Sequence, residues 1–123
     1  MLSRRTSLRT AVAVLAAGAA LTLTMSTPAF AANEGDHWLN TPNCTADQKI
    51  ELQLYSDGQY HDFQAIDPTR INGNCEFVLL DGRVGWDSFS GAQSPWYYDG
   101  PGHVYQAYVI DHTANQVAYG VRN

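Results

Sequence analysis

Positive charge is scarce in this sequence once the first 31 residues are set aside. From residue 32 onward only Lys49, Arg70, Arg83 and Arg122 face all twelve acidic residues, a formal charge of −8 over 92 positions. A ligand built on a phosphate backbone needs clustered Lys and Arg, so nucleic acid is not an expected partner, and anionic membrane surfaces are disfavoured for the same reason. Long apolar runs are missing too. Past the stretch AVAVLAAGAALTL, nothing approaches the roughly 20 apolar residues that span a bilayer. There is no His-x-x-x-His pair, no calcium-loop spacing and no Gly-led serine elbow, so no cofactor or metal is expected and no catalytic residue is assigned.

Cysteine occurs only at Cys44 and Cys75. In an oxidising compartment two cysteines pair without ambiguity, and closing a 31-residue separation stabilises by roughly 3.5–4 kcal/mol in the chain-entropy description.

The N-terminal stretch has the features of an export signal. Arg4, Arg5 and Arg9 precede the apolar run with no acid among them, and Ala29-Phe30-Ala31 forms a small-x-small cleavage site. Residues 1–31 are therefore expected to be a cleavable signal of bacterial type. The segment Ser3-Arg4-Arg5 resembles the start of the twin-arginine pattern, although Ser7 replaces its usual Phe. Sec and twin-arginine routes both end outside, so the expected product is secreted, extracellular and free of the membrane after cleavage.

The remaining 92 residues make one domain with a thin core, burying roughly 60–70% of the surface that the unfolded chain exposes. Residues 32–43 lack periodicity and read as an irregular arm ahead of a β domain over 44–123. Lys49–Tyr55 alternates Ile50, Leu52 and Leu54 with polar positions, as a strand does. A capping box at Thr45–Gln48 offers a competing helix, but the Asp57-Gly58 pair that follows favours a hairpin. A two-residue turn there sets Leu54 opposite His61, Leu52 opposite Phe63 and Ile50 opposite Ala65. The other face then holds Glu51, Gln53, Tyr55, Tyr60, Asp62 and Gln64. A second hairpin turns at Asp81-Gly82, with Phe77 opposite Trp86, and a third turns through His112–Asn115. Three hairpins with Gly-rich turns predict an all-β fold: a small antiparallel β-sandwich or partly open barrel held by one disulfide.

Thirteen aromatic residues remain after residue 31, and the longest irregular stretch, 88–102, contains Trp96, Tyr97 and Tyr98 followed by Asp99. Sugar rings stack their C–H faces on such rings, and acids accept the hydroxyls. If the segment is extended, side chains alternate faces, so at least one of the three rings is exposed. The leading expectation is a non-catalytic binding module for an extracellular glycan or protein, using Trp96, Tyr97, Tyr98 and Asp99 with Tyr55 and Tyr60.

Two alternatives stand beside it. A loop over 67–74 ending at Cys75 offers Arg70, followed by Ile71, as the specificity residue of a secreted proteinase inhibitor, with rigidity supplying affinity. Alternatively, Glu51 and Glu76 with Arg83 and His103 assemble the base, cation and acid of a small secreted hydrolase or nuclease. Asp57, Asp81, Asp99 and Asp111 sit at expected turns, where a weak cation site would need several of them to meet.

Overall fold

A computed structural model of the protein describes residues 33–123, so the expected export signal lies outside the described residues. Eight strands form two antiparallel sheets. The first holds β1 (Gly35–Asn40), β2 (Cys44–Leu54), β3 (Tyr60–Ile71) and the short β6 (Tyr97–Tyr98), in the order β1-β2-β3-β6. The second holds β4 (Cys75–Asp81), β5 (Val84–Ser88), β7 (Tyr105–Asp111) and β8 (Gln116–Arg122), in the order β5-β4-β7-β8. Neither sheet closes into a barrel, which selects the sandwich from the two expected architectures.

The segment expected to be an irregular arm carries β1. Leu39 is buried while Trp38 is exposed, and β1 pairs with β2 through a turn closed by the Thr41 N–H donating to the Cys44 carbonyl. Its single inward-facing large side chain gives too weak an alternation to read from sequence. The expected 67–74 loop is likewise mostly strand, because β3 pairs with β2 as far as Ile71.

The first hairpin differs from its expected register by one residue. Leu54 pairs with Tyr60, Leu52 with Asp62 and Ile50 with Gln64. The turn explains the shift. The Gly58 N–H donates to the Tyr55 carbonyl and the Tyr55 N–H to the Gln59 carbonyl, so three residues, Ser56 to Gly58, form the loop. Only Gly58, at φ 82°, is left-handed, whereas a type I′ turn would need Asp57 left-handed as well. A one-residue slip turns every side chain of a strand to its other face. Asp62 and Gln64, expected to face water, are therefore fully buried, and His61 and Phe63 lie on the outer face, half-buried.

The second hairpin is shifted by two, which preserves the faces. Gly82-Arg83 forms the turn, and Trp86 pairs with Leu79 rather than Phe77. The third hairpin turns over 112–115 as expected, with Asp111 opposite Gln116.

Cys44 at the start of β2 and Cys75 at the start of β4 form a disulfide between the two sheets. Around it the interior is apolar, with Leu39, Ala46, Ile66, Phe77, Leu79, Ala107 and Val109 in one cluster. Further along the same inward faces the interior becomes polar. Gln48 follows Ala46 on β2, and Gln64 and Asp62 continue from Ile66 on β3. The apolar core thus lies at the disulfide end, and a buried polar layer lies towards the far end.

Candidate functional site at the polar end of the sandwich

The buried polar layer is a continuous chain of hydrogen bonds. Gln48 reaches the opposite sheet at an irregularity in the β7–β8 pairing. Its Oε1 accepts from the Val121 N–H at 2.8 Å and its Nε2 donates to the Val121 carbonyl at 2.9 Å. The same Nε2 donates to Gln64 Oε1 at 2.8 Å, and Gln64 Nε2 donates to Asp99 Oδ2 at 2.5 Å. Asn123 Nδ2 then donates to Asp99 Oδ2 at 3.1 Å and to Asp62 Oδ2 at 2.9 Å. Buried polar groups need such partners, since an unpaired one costs about 1–3 kcal/mol. Two atoms depart from that rule. Oδ1 of Asp62 and Oδ1 of Asp99 are buried and accept no hydrogen bond among the described residues.

Asp62 and Asp99 line a pocket of about 310 Å³, with His61, His103, Asn123 and the Gly100–Gly102 turn. The turn is closed by the His103 N–H donating to the Gly100 carbonyl, and Gly102 supplies its left-handed residue at φ 91°. Gly100 is required by the Tyr98 side chain, because any Cβ placed there would overlap the Tyr98 hydroxyl and ring. Burial dominates the electrostatics of the floor. It pushes the Asp99 carboxyl up to about 6 against the hydrogen bonds from Gln64 and Asn123, and raises Asp62 in the same direction.

At the rim His103 Nδ1 lies 2.6 Å from Asp81 Oδ2, and His61 Nε2 lies 2.7 Å from Asp57 Oδ2. These contacts fix both rings and hold the Asp81 and Asp57 carboxyls below their ordinary value. No Lys or Arg lines the pocket.

The aromatic segment leads into the pocket through Asp99. From Ser94 to Asp99 the chain runs beside β3, the Ser94 N–H donating to the Ile66 carbonyl and the Asp99 N–H to the Asp62 carbonyl. Within this stretch, expected to be a loop, Tyr97–Tyr98 form the edge strand β6, and the side chains around it alternate. Tyr97 turns inward and packs on the core, and Asp99 is buried. Tyr98 turns outward, where its ring lies 4.4 Å from that of Tyr55, 5.7 Å from Phe63 and 5.3 Å from His61. His103 closes the belt at 5.6 Å from Tyr98. Trp96 is half-buried and Tyr60 exposed, and neither makes a ring contact among these. The structure thus brings Tyr55 and Tyr98 together on the outer face, sends Asp99 inward to the pocket, and leaves Trp96 and Tyr60 outside both groups.

The other sets are dispersed. Arg70 is clamped: Nη2 donates to the Thr41 carbonyl at 2.8 Å, Nη1 to the Pro42 carbonyl at 2.9 Å and Nε to Thr45 Oγ1 at 3.0 Å. With Arg70 and Ile71 in a paired strand, the geometry gives no support to an inhibitory loop. Glu51 is exposed on β2, Arg83 sits in the β4–β5 turn, and Glu76 meets His112 at 2.8 Å near the disulfide end. Of that set only His103 reaches the pocket. Asp111 is buried beside the disulfide. Burial raises its carboxyl, but donors from Ala114, Asn43 and Thr41 outweigh this and hold it at about 2. No three His, Cys, Asp or Glu side chains converge as a metal site among the described residues.

Asp62, His61 and Asn123 are not among the site residues expected from the sequence. The available signal was Gly58, since a three-residue loop ending on that glycine would have set Asp62 and Gln64 on the face of Ile50 and Ile66.

No protein-family model, curated protein or solved structure matches the chain.

Proposed function

We propose that this is a small secreted binding protein that takes a saccharide in the pocket over Asp62 and Asp99, beside the outward-facing Tyr55–Tyr98 pair. The observation that carries the reading is a pocket lined by Asp62, Asp99, His61 and His103, whose two acids each keep a carboxyl oxygen without a protein partner, with the Tyr55–Tyr98 pair nearby on the outer face of the same sheet. A sugar ring presents both complements: C–H groups for the aromatic face, and hydroxyls for the carboxyl oxygens. A volume of about 310 Å³ suits a single ring. Export is supported by the N-terminal sequence pattern and is compatible with the disulfide.

The test is a depletion assay with the oxidised protein and a panel of insoluble polysaccharides, followed by calorimetry with soluble oligomers. Tyr98→Ala is expected to abolish binding with the fold intact by circular dichroism, and Trp96→Ala to weaken it less. If Tyr98→Ala binds as the wild type does, the reading fails.

A second reading, hydrolysis, is favoured by one observation. Asp62 and Asp99 share the Asn123 amide, and one of them has a carboxyl pushed up to about 6, as a general acid requires. Release of reducing ends from a bound oligomer, lost in Asp99→Asn, would decide for it.

A further inference from the structure

We infer that the ligand carries a protonated amine, which docks between the carboxylates of Asp62 and Asp99 at the floor of the pocket. The inference rests on the saccharide reading and narrows it to sugars with a free amino group.

Hydrogen-bond capacity is the first support. Gln64 Nε2 and Asn123 Nδ2 both donate to Oδ2 atoms, which leaves the buried Oδ1 atom of each carboxyl without a donor among the described residues. An ammonium group offers three donors and no acceptor, so it fits two acceptor-only oxygens better than a hydroxyl, whose lone pairs would face carboxylate.

Charge is the second support. Two acids lie together in the floor and no Lys or Arg balances them within the pocket. Arg70 is committed to the Thr41–Pro42 turn, and Lys49 holds Asp67 at 3.0 Å. The two rim imidazoles are likewise engaged, His103 by Asp81 and His61 by Asp57. A buried carboxylate pair without a counter-ion is costly, and a cation between the two members removes that cost.

The experiment is isothermal titration of the oxidised protein at pH 7.5 with three probes: a glucosamine tetramer, its fully N-acetylated counterpart, and a neutral glucose tetramer. The glucosamine tetramer is expected to bind at least about tenfold more tightly than either of the others. That preference is expected to disappear in Asp99→Asn and in Asp62→Asn, two variants that keep the size of the side chain.

Equal affinity for all three probes would overturn the amine inference and leave the saccharide reading standing. A simple diamine is titrated as a control, and its binding with no saccharide bound would overturn the saccharide reading and keep the amine site. Absence of binding by every probe would overturn both. Because the three probes are compared on the unmodified protein, the outcome stands even if a variant fails to fold.

Discussion

Gln64 and Asp99 are joined by a hydrogen bond of 2.5 Å between two buried side chains, one central in its sheet and the other just past the edge strand β6. This bond links the polar layer that crosses the sandwich to the floor of the pocket. Its acceptor is also one of the groups whose titration governs stability.

Stability should fall as pH rises from about 4 to about 6. Asp99 and Asp47 each have a folded-state value of about 6 against an ordinary 3.8, Asp99 through burial and Asp47 through burial and then the neighbouring Asp36. The folded state therefore binds more protons than the unfolded state in that window, and the slope of stability with pH is negative. Asp111, held at about 2, acts in the opposite sense: its contribution is complete above 3.8 and is lost as pH falls towards 2. The melting temperature is expected to peak between about pH 4 and 5, and to be several degrees lower at pH 7.5. Asp99→Asn should flatten the upper slope. A melting temperature that climbs steadily from pH 4 to 7 would contradict this assignment.

Reducing the disulfide should cost roughly 3.5–4 kcal/mol, because the cross-link closes a separation of 31 residues in a domain with a thin core. Urea unfolding of oxidised protein and of the Cys44→Ala/Cys75→Ala variant measures the difference. A loss below about 1 kcal/mol would mean that the apolar cluster around the bond holds the two sheets together without it.

Arg70→Ala should destabilise by about 2 kcal/mol, since two carbonyls of the β1–β2 turn and the Thr45 hydroxyl of β2 lose a charged donor. Arg70→Lys should recover only part of this, because a single ammonium cannot reproduce the guanidinium fork. Denaturant midpoints read both effects. The unmodified protein is expected not to inhibit trypsin at a tenfold molar excess, the guanidinium being unable to enter a specificity pocket while it holds the turn.

Gly120→Ala should be among the most damaging single-methyl additions in the molecule. A Cβ at that position would overlap Gln48 Oε1 and press on the Ala107 Cβ, and Gln48 is held in place by three hydrogen bonds. A cost above about 2 kcal/mol is expected, reflecting both the clash and the loss of pairing to Val121. Calorimetric melting provides the number. A neutral substitution would show that Gln48 can withdraw without penalty.

Much of the fold was legible in the sequence because it depends on local patterns. Alternation in β2, β7 and β8 and the turn glycines Gly58 and Gly82 identified the three hairpins, and the two cysteines left only one pairing. The site was less legible, and one turn is the main reason. Asp57-Gly58 is compatible with a loop of two residues or of three, and only the latter sends Asp62 and Gln64 inward. A buried acid on an apolar face runs against the hydrophobic pattern that sequence reading relies on, so the error supported itself. The other gap is long range. Asn123 reaches Asp62 across 61 positions, and no periodicity or spacing in a single chain reports such a contact. Alternation did foretell that Trp96, Tyr97 and Tyr98 would divide between faces, yet it could not say which of them the pocket would claim.

The disulfide joins the first residues of β2 and β4, and the pocket lies where those strands run out, next to Asp62 and Asp81. The two sheets thus resemble the arms of a clothes-peg, riveted at one end by a bond that cannot slip and latched at the other by amides and carboxyls that can exchange partners. Prising the far end apart by an ångström or two would require only that the latch let go, with the rivet serving as pivot. A ligand held by the Oδ1 atoms of the two acids, beside Asn123, would become part of the latch, and its departure would loosen the jaws while the rivet kept them joined.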